Sequence, residues 1–136
     1  MEFLIDSNVL SEPIKLVPDP IVVAWLRKHE SKLAVDPMII GEIRFGILRL
    51  AQGKKRKSME QWFEAVVARI QCLSWNAEFG HRWAELVVSL RAKGKAMPLQ
   101  DSFIATSALV HDLPIVTRNE ADFAHCGVRV INPFRQ

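Results

Sequence analysis

With 136 residues the chain is long enough to bury a substantial core, and we expect residues 1–136 to form a single domain. The formal net charge of +3 permits a polyanionic partner without requiring one. Two cysteines, Cys72 and Cys126, are too few and too far apart for a disulfide framework or a zinc site. Because the sequence shows neither a signal-peptide pattern nor a bilayer-spanning apolar run, we expect a soluble cytoplasmic protein with reduced cysteines.

In the first part of the chain, short apolar runs ended by polar residues predict strands, and amphipathic segments between them predict helices. Asp19 is a good N-cap and Pro20 suits the first helical position, so a helix should follow them. In chain order we predict a strand over residues 3–5, a helical turn over 9–12, a helix over 21–29, a strand over 33–35 and a helix over 38–52.

The second part of the chain continues this alternation after a basic run at residues 54–57. Apolar residues spaced three and four apart define two amphipathic helices, and their tryptophans indicate core or dimer contacts. In order we predict a helix over 59–70, a strand over 72–75, helices over 77–94 and 102–110, and strands over 114–116 and 128–131. Strands alternating with helices indicate an α/β protein with a central, mostly parallel sheet that helices cover on both faces.

Four acidic residues lie next to the predicted strands or at helix starts: Asp6, Glu42, Asp101 and Asp122. Each has a structural explanation when taken alone. Asp6 and Asp101 suit N-caps, Glu42 suits the first turn of a helix, and Asp122 suits a turn. Together they can converge on the carboxyl edge of a parallel sheet, where open α/β folds bind their ligands. Clustered carboxylates either raise their pKa values or bind a cation, and oxygen ligands suit Mg²⁺ or Mn²⁺.

Four sequence blocks resemble the motifs of the PIN-domain family, and in particular the VapC/FitB-type toxins of bacterial toxin–antitoxin pairs. The blocks are residues 4–12, 40–47, 101–105 and 116–123, and the resemblance covers essentially the whole chain. It implies a three-layer α/β/α sandwich and a metal-dependent endoribonuclease that cleaves structured RNA such as tRNA or rRNA. It also implies a homodimer, a VapB-like antitoxin protein that blocks the site, and a larger toxin–antitoxin assembly that contains both.

The resemblance also implies site residues. Asp6, Glu42 and Asp101 match the three core acids of the family. At the fourth position we favour Asp122 as the acid and Asn119 as a neighbouring polar ligand, because some relatives have Asp where this chain has Asn119. Ser7 stands where Thr is commoner, and with Asn8 it adds polar groups beside Asp6.

The segment before Glu42 departs from the family pattern, which carries Ser or Thr there. Asp36 and Ile39 occupy these positions. Asp36 is either a fifth carboxylate at the rim of the site or a turn residue before Pro37, and the turn is the favoured interpretation.

The implied chemistry is phosphodiester hydrolysis by one or two Mg²⁺ or Mn²⁺ ions that activate water. All four acids would act as ligands, and Asp122 could instead orient the attacking water. Basic side chains of Arg44, Arg118, Lys54 and Lys55 would contact the RNA backbone, or simply form a solvated face.

Two other functions compete with this one. A phosphatase of the haloacid-dehalogenase kind would need a second acid at position 8, where this chain has Asn8. A catalytically silent RNA- or protein-binding module would keep the fold without the chemistry.

Overall fold

The computed structural model describes residues 1–135 and contains a five-stranded parallel sheet. The strands are β1 (Phe3–Ile5), β2 (Leu33–Val35), β3 (Gln71–Cys72), β4 (Ile115–Val116) and β5 (Val130–Ile131). Their order across the sheet is β3-β2-β1-β4-β5, and every neighbouring pair is parallel. The first strand of the chain is therefore the central strand of the sheet.

Helices cover the sheet and connect its first four strands, whereas the connection from β4 to β5 contains a 3₁₀ turn at Glu120–Phe123. They are α1 (Ser7–Leu10), α2 (Pro20–His29), α3 (Pro37–Leu48), α4 (Lys54–Ala65), α5 (Ala77–Ala92) and α6 (Leu99–His111). Successive residues of a strand face opposite sides of a sheet, yet all three residues of β2 are buried. Both faces are thus covered, as the predicted three-layer α/β/α sandwich requires, and the fold prediction is confirmed.

Several predicted boundaries were wrong. The helix predicted over 59–70 begins at Lys54, because the basic residues continue the helix, and it ends at Ala65 before a 3₁₀ turn at Val67–Arg69. The helix predicted to run to residue 52 ends at Leu48, and the one predicted from 102 begins at Leu99. Apolar spacing marks the packed part of a helix and does not mark its ends.

The predicted strands over 72–75, 114–116 and 128–131 are each only two residues long. At β3, pairing continues irregularly because the Leu73 amide donates to the Val35 carbonyl at 2.8 Å. Both cysteines are free, with Cys72 exposed and Cys126 buried. None of the helices within residues 1–135 is long and apolar enough to cross a membrane. The single domain over 1–136 stays a prediction, and Gln136 lies outside the described residues.

Candidate active site

Asp6 follows the central strand directly, so it lies at the carboxyl edge of the sheet between the ends of β2 and β4. Its backbone amide donates to the Val116 carbonyl at 3.0 Å, which continues the pairing of β1 with β4. One carboxylate oxygen, Oδ1, accepts the Ser7 amide at 2.8 Å and caps α1. Asp6 is therefore both the N-cap that the sequence suggested and a residue at the carboxyl edge of the sheet.

The second oxygen of Asp6 belongs to a polar network with the end of β4. Asp6 Oδ2 accepts the Thr117 hydroxyl at 2.8 Å and the Asn8 side-chain amide at 3.3 Å. Asn8 also donates to Thr117 Oγ1 at 3.2 Å and accepts the Arg118 backbone amide at 3.1 Å. The Asp6 carboxylate is consequently held in one orientation. Thr117 lies within the motif block at residues 116–123, but no role was predicted for it from sequence; its hydroxyl directly after a strand was the available signal.

Burial raises the pKa of Asp6 above its ordinary value, and the nearby Asp122 carboxylate contributes to the rise. Hydrogen bonds from Thr117, Ser7 and Asn8 act in the opposite direction, because they stabilise the ionised form. Asp6 is only 6% exposed, so the network substitutes for the water that the carboxylate has lost.

Glu42 lies in the second turn of α3, so the predicted placement in the first turn was wrong. Its Oε1 accepts the Ser7 hydroxyl at a long 3.4 Å, which joins it to the Asp6 segment. Partial burial, followed by the charges of Asp6 and Asp101, raises the pKa of Glu42 to about 7.

Asp101 lies in the first turn of α6, where the helix N-cap is Pro98, so the N-cap role predicted as an alternative was wrong. Partial burial, followed by the charges of Asp122 and Asp6, raises the pKa of Asp101 to about 6. The side chains of Asp6, Glu42, Asp101 and Asp122 are therefore close enough to influence one another electrostatically, although they lie far apart in sequence.

Asp122 and Asn119 lie on the exposed side of this group. Asp122 is part of a 3₁₀ turn at Glu120–Phe123, and its amide donates to the Asn119 carbonyl at 3.1 Å. The Asn119 amide donates in turn to Thr117 Oγ1 at 3.1 Å. Both residues thus extend from the same network that holds Asp6.

The carboxylates lack cationic partners, since the ion pairs within residues 1–135 involve other acids. The same residues contain no group of three or more histidine, cysteine or carboxylate side chains placed to hold a metal ion as they stand. Partly buried, uncompensated oxygens favour a hard divalent cation, so the donor chemistry fits Mg²⁺ or Mn²⁺. Among the described residues these carboxylates do not form a preassembled metal-binding group, and binding such an ion would require their side chains to come closer together.

Asp36 is fully buried, so its proposed placement at the rim was wrong. It is the N-cap of α3, as its position before Pro37 suggested, and its Oδ1 accepts the Ile39 amide at 2.8 Å. Its Oδ2 accepts the Ser107 hydroxyl at 2.7 Å, a contact that the sequence did not indicate.

The four basic residues predicted to contact RNA are placed in two ways. The Arg44 guanidinium lies 5.2 Å from the centre of the Phe63 ring, and that of Arg118 lies 4.3 Å from the centre of the Phe134 ring. Lys54 and Lys55 are exposed in the first turn of α4. Arg118 directly follows Thr117, and its backbone amide donates to Asn8, whereas Arg44 lies two residues after Glu42 on α3.

Comparisons with known proteins agree with this geometry. The model of the PIN domain family matches residues 3–128. The chain is 28% identical to VapC ribonuclease Y4jK of Sinorhizobium fredii, over 96% of each protein. It is 29% identical to toxin FitB of Neisseria gonorrhoeae, over 96% of this chain and 97% of that protein.

Among solved structures, the crystal structure of FitAcB from Neisseria gonorrhoeae superposes with a TM-score of 0.87. The superposition covers 98% of this chain and 99% of that chain, at 28% sequence identity. A family match over most of the length and similarity to these proteins along nearly the whole chain lead to one conclusion: the chain belongs to the PIN domain family.

Proposed function

We propose that this chain is the toxin of a toxin–antitoxin pair and acts as an endoribonuclease that depends on Mg²⁺ or Mn²⁺. The observation that carries the proposal is the grouping of Asp6, Glu42 and Asp101 at one sheet edge. There the charges of Asp6 and Asp101 contribute to the raised pKa of Glu42, and the charge of Asp6 contributes to that of Asp101. The names of two relatives, a VapC ribonuclease and a toxin FitB, support the ribonuclease and toxin assignments.

Asp6, Glu42, Asp101 and Asp122 would hold the metal. When bound, a divalent ion supplies an activated water and compensates the charge that develops on the scissile phosphate. Asp6 contributes a carboxylate whose orientation Thr117 and Asn8 already determine. Glu42 and Asp101 contribute carboxylates that must lose a proton before they can bind a cation, because their pKa values are about 7 and about 6.

Asp122 is the most solvent-accessible of the four acids, and its side chain is exposed. An exposed carboxylate beside the buried network can accept a proton from water at the mouth of the site. We therefore assign to Asp122 the orientation of the attacking water in addition to its role as a ligand.

The substrate of the proposed endoribonuclease is structured RNA of the tRNA or rRNA kind. Arg118 and Arg44 are pre-positioned by their packing on Phe134 and Phe63, and Lys54 and Lys55 extend into solvent. Contacts of such side chains with phosphates make binding salt-dependent. Charge reversal at Arg118 should weaken RNA binding and lower its dependence on salt.

The protein partners of the proposed toxin are a VapB-like antitoxin and a second copy of the chain. An enzyme that cleaves the RNA of its own cell needs an inhibitor that covers the acidic site. Light scattering of the purified protein tests the homodimer, and a short neighbouring reading frame whose product co-purifies with this chain tests the antitoxin.

The decisive experiment compares purified wild-type protein with Asp6→Asn on tRNA and rRNA substrates. We expect cleavage with Mg²⁺ or Mn²⁺, no cleavage in EDTA, and a loss of about 100-fold or more in Asp6→Asn. Asp19→Asn is the matched control, because Asp19 caps α2 through the Ile21 amide and has no contact with the acidic network. This control should cleave like the wild type.

The alternative, a catalytically silent binding module, is favoured by the absence of a preassembled metal-binding group among the described residues. RNA binding by the wild type without cleavage under any divalent metal would establish that alternative. Cleavage that persists in both EDTA and Asp6→Asn would instead mean that the activity does not use this site.

A further inference from the structure

Asp36 is a buried carboxylate in contact with both helices that carry site acids. It follows β2, is inaccessible to solvent, and has no ion-pair partner within residues 1–135. A buried carboxylate without a cation is costly unless hydrogen bonds satisfy its oxygens. Here both oxygens are satisfied, by donors that belong to different helices.

The two donors connect the helix of Glu42 with the helix of Asp101. Asp36 Oδ1 accepts the Ile39 amide in the first turn of α3, three residues before Glu42. Asp36 Oδ2 accepts the hydroxyl of Ser107, which lies on α6 six residues after Asp101. Because a helix is stiff over one or two turns, a link between the two backbones constrains the side chains that they carry.

A third residue orients the link. The Trp75 indole N–H donates to Ser107 Oγ at 3.2 Å, so the Ser107 hydroxyl accepts from Trp75 and donates to Asp36. Trp75 packs in turn on Phe79, with ring centroids 4.7 Å apart. The hydroxyl hydrogen of Ser107 is thereby directed at the carboxylate.

We propose that Asp36 is a positioning residue that sets the separation of Glu42 and Asp101 by joining the first turn of α3 to α6 through Ser107. A carboxylate suits this place because it offers two acceptor oxygens on opposite sides. Serine would keep the cap of α3 but is too short to reach Ser107. Asparagine would direct an NH₂ group at Ser107 and leave the hydroxyl hydrogen without its acceptor.

The consequence for metal binding rests on the proposed function. If Glu42 and Asp101 bind one cation, their separation determines how much the protein must rearrange to bind it. Residues that orient metal ligands through hydrogen bonds change metal affinity by about 10- to 100-fold when they are removed. We expect Mn²⁺ affinity to fall by about 10-fold when the link between α3 and α6 is cut.

The test uses two variants that cut the link from opposite sides, Asp36→Ser and Ser107→Ala. The matched control is Thr106→Val, which removes a buried hydroxyl from the neighbouring position on α6. The Thr106 hydroxyl donates to the Ser102 carbonyl at 2.7 Å within the same helix, so it joins no two elements. All proteins are the full chain, with urea unfolding used to confirm that each is folded.

Two measurements separate a positioning role from a general loss of stability. The first is the carboxyl ¹³C resonance of Glu42 and of Asp101 in metal-free protein, at a pH well above the pKa of both. The second is Mn²⁺ affinity by calorimetry. Asp36→Ser and Ser107→Ala should each shift the two resonances and weaken Mn²⁺ binding. Thr106→Val should lower stability and leave both measurements as in the wild type.

Unchanged resonances and unchanged Mn²⁺ affinity in both Asp36→Ser and Ser107→Ala would overturn the proposal. Equal changes in Thr106→Val would also overturn it, because they would show a response to any loss of packing in α6. If both variants shift the resonances but the wild type binds no Mn²⁺, the positioning role is supported and the metal-dependent function is refuted. Failure of this proposal can therefore be distinguished from failure of the proposed function.

Discussion

Replacing Glu42 by glutamine should stabilise the metal-free protein while it abolishes the response to metal. Partial burial and two neighbouring carboxylates raise the pKa of Glu42, which means that the folded protein is destabilised whenever Glu42 is ionised. Glutamine has the same shape, is neutral, and still offers an oxygen to the Ser7 hydroxyl.

The magnitude follows from the shift of the pKa from 4.5 to about 7. At about 1.4 kcal/mol per pKa unit, the ionised form of Glu42 costs at most about 3.5 kcal/mol of unfolding free energy. Glu42 is partly accessible to water, which screens its charge, so we expect a gain of about 1–2 kcal/mol from Glu42→Gln.

The difference in unfolding free energy between Glu42→Gln and the wild type should increase with pH. Below the unfolded-state pKa of 4.5, Glu42 is protonated in both states and the variant gains nothing. As pH rises toward the folded-state pKa of about 7, the unfolded chain loses this proton first, so the wild type loses stability relative to the variant. Above that pH the difference is constant.

The assay is urea unfolding in EDTA, followed by the fluorescence of the four tryptophans, at pH values below 4.5 and above about 7. The control is Glu85→Gln, the same substitution at an exposed position on α5, which should change stability by less than about 0.5 kcal/mol at either pH. A loss of stability in Glu42→Gln at the higher pH would refute the reasoning, because it would mean that the ionised carboxylate is compensated.

Three further outcomes are expected. Mn²⁺ affinity measured by calorimetry should rise with pH through about 6 to about 7, because Asp101 and Glu42 must lose protons to bind; a flat profile would exclude them as ligands. Asn8→Ala should lower the unfolding free energy by about 1–3 kcal/mol and reduce cleavage, and an unchanged urea midpoint would contradict the network. Phe123→Ala should cost about 3–5 kcal/mol, since that ring is fully buried beside Asp122; a thermal shift of only a degree or two would contradict this packing.

The sheet could be predicted from sequence because its central strands are buried on both faces. Three consecutive apolar residues followed by a polar one sufficed for β1 and β2, and resemblance to a family supplied Asp6, Glu42 and Asp101. Helix ends were less predictable. Lys54 begins α4 although the apolar spacing starts later, because basic residues favour helix as well as many apolar ones do.

Ser7 and Asn8 could be named from sequence as polar neighbours of Asp6, but the supporting contacts between distant parts of the chain could not be predicted. Thr117 contacts Asp6 across 111 positions of sequence, and Ser107 contacts Asp36 across 71. Neither contact leaves a local pattern, because each depends on which strands and helices become neighbours. Asp36 before Pro37 has the sequence of an ordinary turn, and only the packing of α6 against α3 shows that its carboxylate is enclosed.

The central place of β1 has a consequence for synthesis on the ribosome. One neighbour of β1 is β2, but the other is β4, which begins only at Ile115. A nascent chain therefore already contains Asp6, Glu42 and Asp101 while Asp6 still lacks Thr117 and one side of the sheet remains open. Since strands distant in sequence can pair only after both have emerged, Asp6 gains its hydrogen bond from Thr117 only once β4 has been synthesised.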